Sequence, residues 1–145
     1  MERKYIHARR ELEAVEEGRL QLARLHREVQ HLENQCTSVT QRYTDRTGSS
    51  REVHNVLWDQ LADKRQLLLL QQHVQEQREQ EVLQWIELLP NPRWKLLLRC
   101  RYLEGMDLQD ILQTLEEATG RPFTMNQVYR IHSQALGAVE KLLPM

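Results

Sequence analysis

Apolar residues recur at heptad spacing along the first part of the chain. One set is spaced by seven, namely Val15, Leu22, Val29, Cys36 and Tyr43, and a second set, Leu25, Leu32 and Val39, lies three residues later. This a/d pattern is typical of a helix that packs along another helix. It predicts one long helix over roughly residues 3–43, weakened where Gly18 occupies a d position. Such a helix is not stable alone in water and needs a partner surface.

A second long helix is predicted over roughly residues 51–89, because no proline precedes Pro90. Its apolar stripe consists of Val53, Leu57, Leu61, Leu68, Val82, Trp85 and Leu89. The break at residues 44–50 is polar and turn-forming, and Ser49 with Glu52 matches a capping box. A short turn between two long helices predicts an antiparallel, coiled-coil-like hairpin over residues 1–89. The hairpin closes either within one chain or between two chains.

The block Leu67–Leu70 is apolar around most of the second helix, so this helix has more than one apolar side. The additional apolar surface fits either a second subunit or the C-terminal domain. From this surplus we expect a homo-oligomer that forms through the N-terminal helices.

Three shorter helices are predicted in residues 90–145 from their start and stop signals. The start signals are Asn91 with Pro92, Asp107, and the capping box of Thr124 with Gln127, and the stop signals are Gly105 and Gly120. The apolar faces of the three helices are Trp94, Leu97, Leu98 and Tyr102, then Leu108, Ile111, Leu112 and Leu115, then Val128, Ile131, Ala135, Val139 and Leu142. Three short helices at this spacing match a tri-helical DNA-binding unit. We therefore predict an all-α fold in which a helical hairpin precedes a three-helix helix-turn-helix domain.

Composition supports helices and narrows the classes of function. The chain has 24 Leu and 16 Gln but only 5 Gly and 4 Pro. With 20 basic and 21 acidic residues, it lacks the basic field of an avid nonspecific nucleic-acid binder, although a local basic patch would suffice. Cys36 and Cys100 have no metal-like spacing and are expected to be reduced core thiols. Since the sequence shows neither a signal peptide nor a membrane span, we expect a cytoplasmic protein without a membrane partner.

Motifs of catalytic or cofactor-binding sites are absent from the sequence. It contains no GxGxxG, GxxxxGK[ST] or GxSxG, and its few glycines cannot build a phosphate cradle. His26, His31 and Cys36 are five residues apart and therefore do not share one helical face, as metal ligands on a helix do. We expect no metal, no cofactor and no enzymatic activity. His132 is expected to pack or to touch phosphate.

The exposed face of the last helix carries side chains suited to DNA bases. If Val128 and Ile131 point inward, Asn126, Arg130 and Ser133 point outward and Gln127 lies on the flank. Asn and Gln pair with adenine edges, and Arg pairs with guanine. The candidates for base contact are thus Asn126, Gln127, Arg130 and Ser133. Any solvated helix face can show the same residues, so both interpretations stay open.

Basic residues near this helix are candidates for contact with phosphates. Four cations and no acid lie between Asn91 and Leu103. The full candidate set is Arg93, Lys95, Arg99, Arg101, Arg121, Thr124 and Tyr129. The alternative is a basic surface that offsets nearby acids such as Glu116 and Glu117.

Three stretches resemble the region-four domain of sigma factors, and in particular the phage-encoded late-transcription regulators of the RinA and ArpU kind. These stretches are WIELLPNP at 85–92, LLRCRYLEG at 97–105 and VYRIHSQAL at 128–136. The resemblance implies a phage or prophage transcription regulator that binds double-stranded DNA in the bacterial cytoplasm. It also implies contact with RNA polymerase. The alternative is a coiled-coil adaptor that keeps the helix-turn-helix fold without binding DNA.

Overall fold

The computed structural model describes the backbone of residues 4–43 and 49–143, and the side chains of residues 4–38 and 55–143. Within these ranges the chain forms five α-helices and no β-strand. They are α1 (Ile6–Tyr43), α2 (Ser49–Glu87), α3 (Pro92–Leu98), α4 (Leu108–Thr119) and α5 (Met125–Leu142). The prediction of an all-α fold is confirmed. Within the predicted turn, residues 44–48 lie outside the described part, as does the Glu52 side chain of the predicted capping box.

Contacts divide the chain into two compact units. The first unit comprises Met1–Glu17 and Glu76–Met145, and the second comprises Gly18–Gln75. Both α1 and α2 contribute to each unit. The sequence-based boundary between residues 89 and 90 does not coincide with this division, because residues from the start of α1 and the end of α2 share a core with the three shorter helices.

The second unit has a small apolar core between α1 and α2. Val29, Cys36 and Leu61 are buried, and Leu32, Leu57 and Leu68 pack against them at half burial. Gln72 contacts His26, whereas Arg65 contacts Glu33, so later residues of α2 meet earlier residues of α1.

Gly18 accommodates a buried polar side chain from α2. A Cβ atom at Gly18 would collide with the carboxamide of Gln75, which is itself buried. The d position that lacks a side chain is therefore filled from the facing helix. Elsewhere in the heptad pattern Leu25 is buried and Leu22 is half-buried, while the side chains of Val39 and Tyr43 lie outside the described residues.

The first unit has the larger core. There α3 packs on α4 and α5, and α4 packs on α5. Fully buried side chains from all three helices meet at the centre, with Leu97, Ile111, Leu115, Val128 and Leu136 among them. Burial of the predicted inward residues of α5 is confirmed up to Val139, but Leu142 in the last turn is 39% exposed.

Local capping signals correctly predict where the three shorter helices begin and where α4 ends. Asn91 Oδ1 accepts a hydrogen bond from Arg93 N at 2.9 Å, and Asp107 Oδ1 accepts one from Asp110 N at 2.9 Å. Gly105 and Gly120 have φ of 75° and 69°, in the left-handed region that favours glycine.

One segment departs from the predicted α-helical geometry. Residues Arg99–Leu103, which follow α3, form a π-helical turn in which Glu104 N donates to Arg99 O at 3.0 Å. Two side chains of this turn, Cys100 and Tyr102, are buried in the core of the first unit. The capping signals at Asn91 and Gly105 mark the two ends of the helical stretch formed by α3 and this turn together, and they carry no information about the wider turn itself.

Candidate nucleic-acid interface

The residues predicted to contact bases lie on the surface of the first unit. In α5, Val128, Ile131, Ala135 and Val139 are buried and hold the helix against its neighbours. As the sequence predicts, Asn126, Gln127, Arg130 and Ser133 are exposed. The core thus fixes which face of α5 is turned to solvent, and that face is polar.

The start of α5 is held by a reciprocal capping box. Gln127 N donates to Thr124 Oγ1 at 3.2 Å, and Thr124 N donates to Gln127 Oε1 at 2.9 Å. These bonds satisfy backbone amides that a helix terminus otherwise leaves without a partner. They also commit the oxygens of both side chains to the cap. Gln127 is therefore less available to a base than Asn126 or Arg130.

The connection between α4 and α5 is fixed by hydrogen bonds from its backbone. Phe123 N donates to Glu116 Oε1 at 3.1 Å, and Arg121 N donates to Thr119 Oγ1 at 3.3 Å. Both bonds tie the connection to the last turn of α4. The Arg121 side chain is exposed beside the start of α5.

Arg93 lies beside the start of α5, although α3 is distant from it in sequence. Its guanidinium carbon is 5.4 Å from the centre of the Phe123 ring, which is cation–π distance. Phe123 immediately precedes the N-cap Thr124. Arg93 and Arg121 therefore flank the beginning of the helix that carries Arg130.

Arg101 lies on a different side of the unit. Its Nη1 is 3.0 Å from Glu16 Oε1 on α1, and its guanidinium lies 5.8 Å from the Tyr102 ring centre. Tyr102 in turn bonds to His132, which is about 200° around α5 from Arg130. The structure thus does not bring Arg101 together with Arg130. Of the other phosphate candidates, Arg99 and Tyr129 are exposed and Lys95 is half-buried.

His132 is part of the packing between helices. Tyr102 Oη and His132 Nε2 are 2.7 Å apart, and their rings stack with centres separated by 5.9 Å. Burial, together with the charges of Arg9 and Arg101, lowers the pKa of His132 to about 4, while burial raises the pKa of Tyr102 to about 12. Both side chains are therefore neutral at physiological pH. Of the two roles expected for His132, the structure shows packing.

The first acidic residue of α5 is directed towards α1. Glu140 Oε2 accepts a hydrogen bond from Ala8 N, in the first turn of α1, at 2.6 Å. A carboxylate is favourable there because the N-terminus of a helix carries partial positive charge. From Met125 to Val139, α5 has no acidic residue, so the formal charge on this stretch of its outer face comes from Arg130 alone.

Two contacts at this surface were not predicted from the sequence. One is the Arg93–Phe123 pair, and the other is the bond from Trp94 Nε1 to Gln134 Oε1 at 3.4 Å. Both contacts link α3 either to α5 itself or to the connection that precedes α5. The sequence offered one signal for the first of these contacts: Phe123, the only phenylalanine of the chain, lies in the short connection before α5, where an aromatic ring needs a packing partner.

Among the described residues, no cluster of three or more His, Cys, Asp or Glu side chains is arranged to hold a metal ion. Cys36 and Cys100 are buried and not in a disulfide, as the sequence predicts. Burial raises the pKa of the Cys100 thiol, with Glu104 adding to this effect, which disfavours the reactive thiolate. In the same part of the chain, no helix is long and apolar enough to cross a membrane.

Comparison with known proteins finds no family model, no curated protein and no solved structure that matches the chain. The resemblance to the sigma region-four domain therefore rests on the three sequence stretches themselves.

Proposed function

We propose that the chain is a non-enzymatic, DNA-binding transcription regulator in which α4 and α5 act as a helix-turn-helix and α5 contacts bases in the major groove. The observation that carries the proposal is the exposed, acid-free face of α5, flanked at its start by Arg93 and Arg121. A recognition helix contacts base edges through its N-terminal residues, and the flanking cations grip phosphates.

Side-chain chemistry divides this surface into two functions. Asn126 and Arg130 are one helical turn apart on the outer face, so they are suited to adjacent base edges. Arg93 and Arg121 lie at the helix start, where they can neutralise phosphates on the strand that borders the groove. The resemblance to RinA- and ArpU-like regulators supports a promoter element as the target, RNA polymerase as a further partner and a bacterial host as the setting.

The first experiment is selection of bound sequences from a random duplex pool with the purified full chain at moderate salt. An enriched motif is expected, and its symmetry would report whether one or two copies bind. A folded, helical protein that enriches no motif would contradict direct base recognition. That result would instead favour the adaptor, an alternative supported by exposed apolar side chains of α2 such as Leu69 and Leu70.

Two substitutions separate base contact from phosphate contact. Arg130→Ala is expected to weaken binding to the selected motif by about 1–3 kcal/mol and to leave nonspecific binding almost unchanged. Arg93→Ala is expected to weaken binding to all sequences alike and to reduce the slope of log K against log salt by about one. Equal, sequence-independent losses from both substitutions would refute the role of Arg130.

Two further variants serve as controls. Arg27→Ala removes the same charge from an exposed position in the second unit, so it corrects for net charge. Arg101→Ala removes a cation that is paired with Glu16 and lies away from Arg130. If Arg101→Ala flattened the salt dependence as much as Arg93→Ala, the placement of the phosphate-binding surface would be wrong.

A further inference from the structure

Within its described side chains, residues 18–38 and 55–75, the second unit buries few apolar residues for helices of this length. Among its described residues, the buried apolar side chains are Leu25, Val29, Cys36 and Leu61. Long helices in water depend on packing of an apolar face for most of their stability. Further apolar contact would therefore stabilise this described part of the two helices.

Three exposed apolar side chains of α2 lie on one side of the helix, whereas Trp58 and Leu69 lie on another. Val56, Leu67 and Leu70 are 54%, 41% and 58% exposed, and Val74 is half-buried. The steps of three and four residues from Leu67 to Val74, with Val56 eleven residues earlier, keep these residues on one side of the helix. That spacing is typical of a surface that packs against another helix.

Leu67 also lines a groove where this side of α2 meets α1. One cavity of about 530 Å³ includes Leu32, and a second of about 250 Å³ includes Leu25; both are lined by Glu28, Lys64 and Leu67. The two cavities are therefore adjoining parts of one groove, here called the Leu67 groove. Its floor is apolar, and the Glu28–Lys64 ion pair of 3.0 Å lies within it.

We propose that the Leu67 groove, with Leu70 and Val74 beside it, is the surface on which a second copy of this chain docks. The groove is lined by the acids Glu28 and Asp63 and by the base Lys64, and Arg24 lines its narrower part. The four charges sum to zero, and Glu28 and Lys64 pair within the chain, so Asp63 and Arg24 are the opposite charges that a two-fold axis can bring into contact between the two copies. A strongly charged partner such as a nucleic acid gains nothing from a surface of zero net charge. Two helices from each copy would then form a four-helix bundle.

The opposite side of α2 offers a matched control. Leu69 is 67% exposed and lines a separate cavity with His26 and Arg65. It has the same side chain on the same helix, two residues from Leu67, but faces away from the Leu67 groove. A glutamate at either position adds the same charge to an exposed site.

Sedimentation equilibrium of the full chain without DNA, over a range of concentrations, tests the proposal. The wild-type chain is expected to be a reversible dimer. Leu67→Glu is expected to weaken dimerisation by roughly a hundredfold or more, because it places a charge in the interface, and Leu69→Glu by less than about threefold. A chain that is monomeric up to roughly 100 μM would overturn the proposal. So would a larger effect of Leu69→Glu.

Leu70→Glu guards against an effect on folding. This side chain is 58% exposed, so a charge there does not disturb the core between α1 and α2, and circular dichroism should show unchanged helicity. Loss of dimerisation by Leu67→Glu but not by Leu70→Glu would also contradict the proposed docking surface. Because no DNA is present, failure here is independent of failure of the DNA-binding proposal.

Discussion

Acid is expected to destabilise the first unit through His132. Burial and two neighbouring arginines lower the pKa of this side chain from its ordinary value of 6.5 to about 4. Above pH 6.5 the imidazole is neutral in both the folded and the unfolded chain, so it contributes no pH dependence. Between pH 6.5 and about 4 the unfolded chain binds a proton that the folded chain does not bind. Stability is therefore lost as the pH falls through this window and levels off below it.

The size of this loss follows from the difference between the two pKa values. A shift from 6.5 to about 4 corresponds to about 3 kcal/mol, since one pKa unit is worth about 1.4 kcal/mol. His132 is half-buried, so solvent screens part of the interaction, and we expect a loss of about 2 kcal/mol. The proton would add a positive charge beside Arg9 and Arg101, the two cations that help to lower the pKa.

Urea unfolding of the wild-type chain and of His132→Gln at pH 7, 5.5 and 4 measures the effect. Glutamine retains a polar partner for Tyr102 but does not titrate, so the difference between the two proteins removes the contribution of other acids and bases. The stability of the wild type relative to the variant should fall by about 2 kcal/mol between pH 7 and 4. If the stability of the wild type relative to His132→Gln stays constant or rises as the pH falls, the assignment of a lowered pKa to His132 is refuted.

Three substitutions test the architecture of the first unit through its thermal or urea unfolding. Thr124→Ala removes the N-cap of α5 and is expected to cost about 1 kcal/mol, whereas Ser133→Ala on the same exposed face should cost little. Gly120→Ala places a Cβ in open space at a φ of 69°, so a loss of about 1 kcal/mol would come from the backbone alone, and a neutral result would contradict the left-handed cap. Ile111→Ala empties a fully buried position and is expected to cost about 3 kcal/mol, clearly more than Leu112→Ala at its half-buried neighbour.

Features of the fold that depend on neighbouring residues could be predicted from the sequence. The caps at Asn91, Asp107 and Thr124 lie within three residues of the amides they bond, and the structure contains each of them, together with the left-handed glycines Gly105 and Gly120. The outward face of α5 was also predictable, because helical periodicity places Arg130 opposite the buried Val128. Local chemistry is sufficient for such features.

Contacts between distant residues could not be predicted in the same way. Arg101 appeared equivalent to Arg93 and Arg99 in sequence, but its partner Glu16 is 85 positions away on α1. The burial of Gln75 against Gly18 likewise depends on which residue of α2 faces the gap. The heptad pattern shows that the d position at Gly18 has no side chain. Only the packing of α1 against α2 determines that Gln75 fills the space.

Net charge illustrates why composition alone is a poor guide to this surface. From residue 90 on, basic and acidic residues are nearly balanced, which speaks against DNA binding. Three carboxylates, however, are occupied within the first unit: Glu16 pairs with Arg101, Glu116 accepts from Phe123 N, and Glu140 accepts from Ala8 N. A hydrogen bond from a neutral amide leaves the carboxylate charge in place, so the position of each acid matters: Glu140 lies against Ala8 on α1, whereas Glu116 lies at Phe123, on the approach to α5. The potential near α5 therefore depends on where the charges lie as well as on their number. Because α5 carries Arg130 and no acid from Met125 to Val139, a local basic surface is compatible with a chain of almost zero net charge.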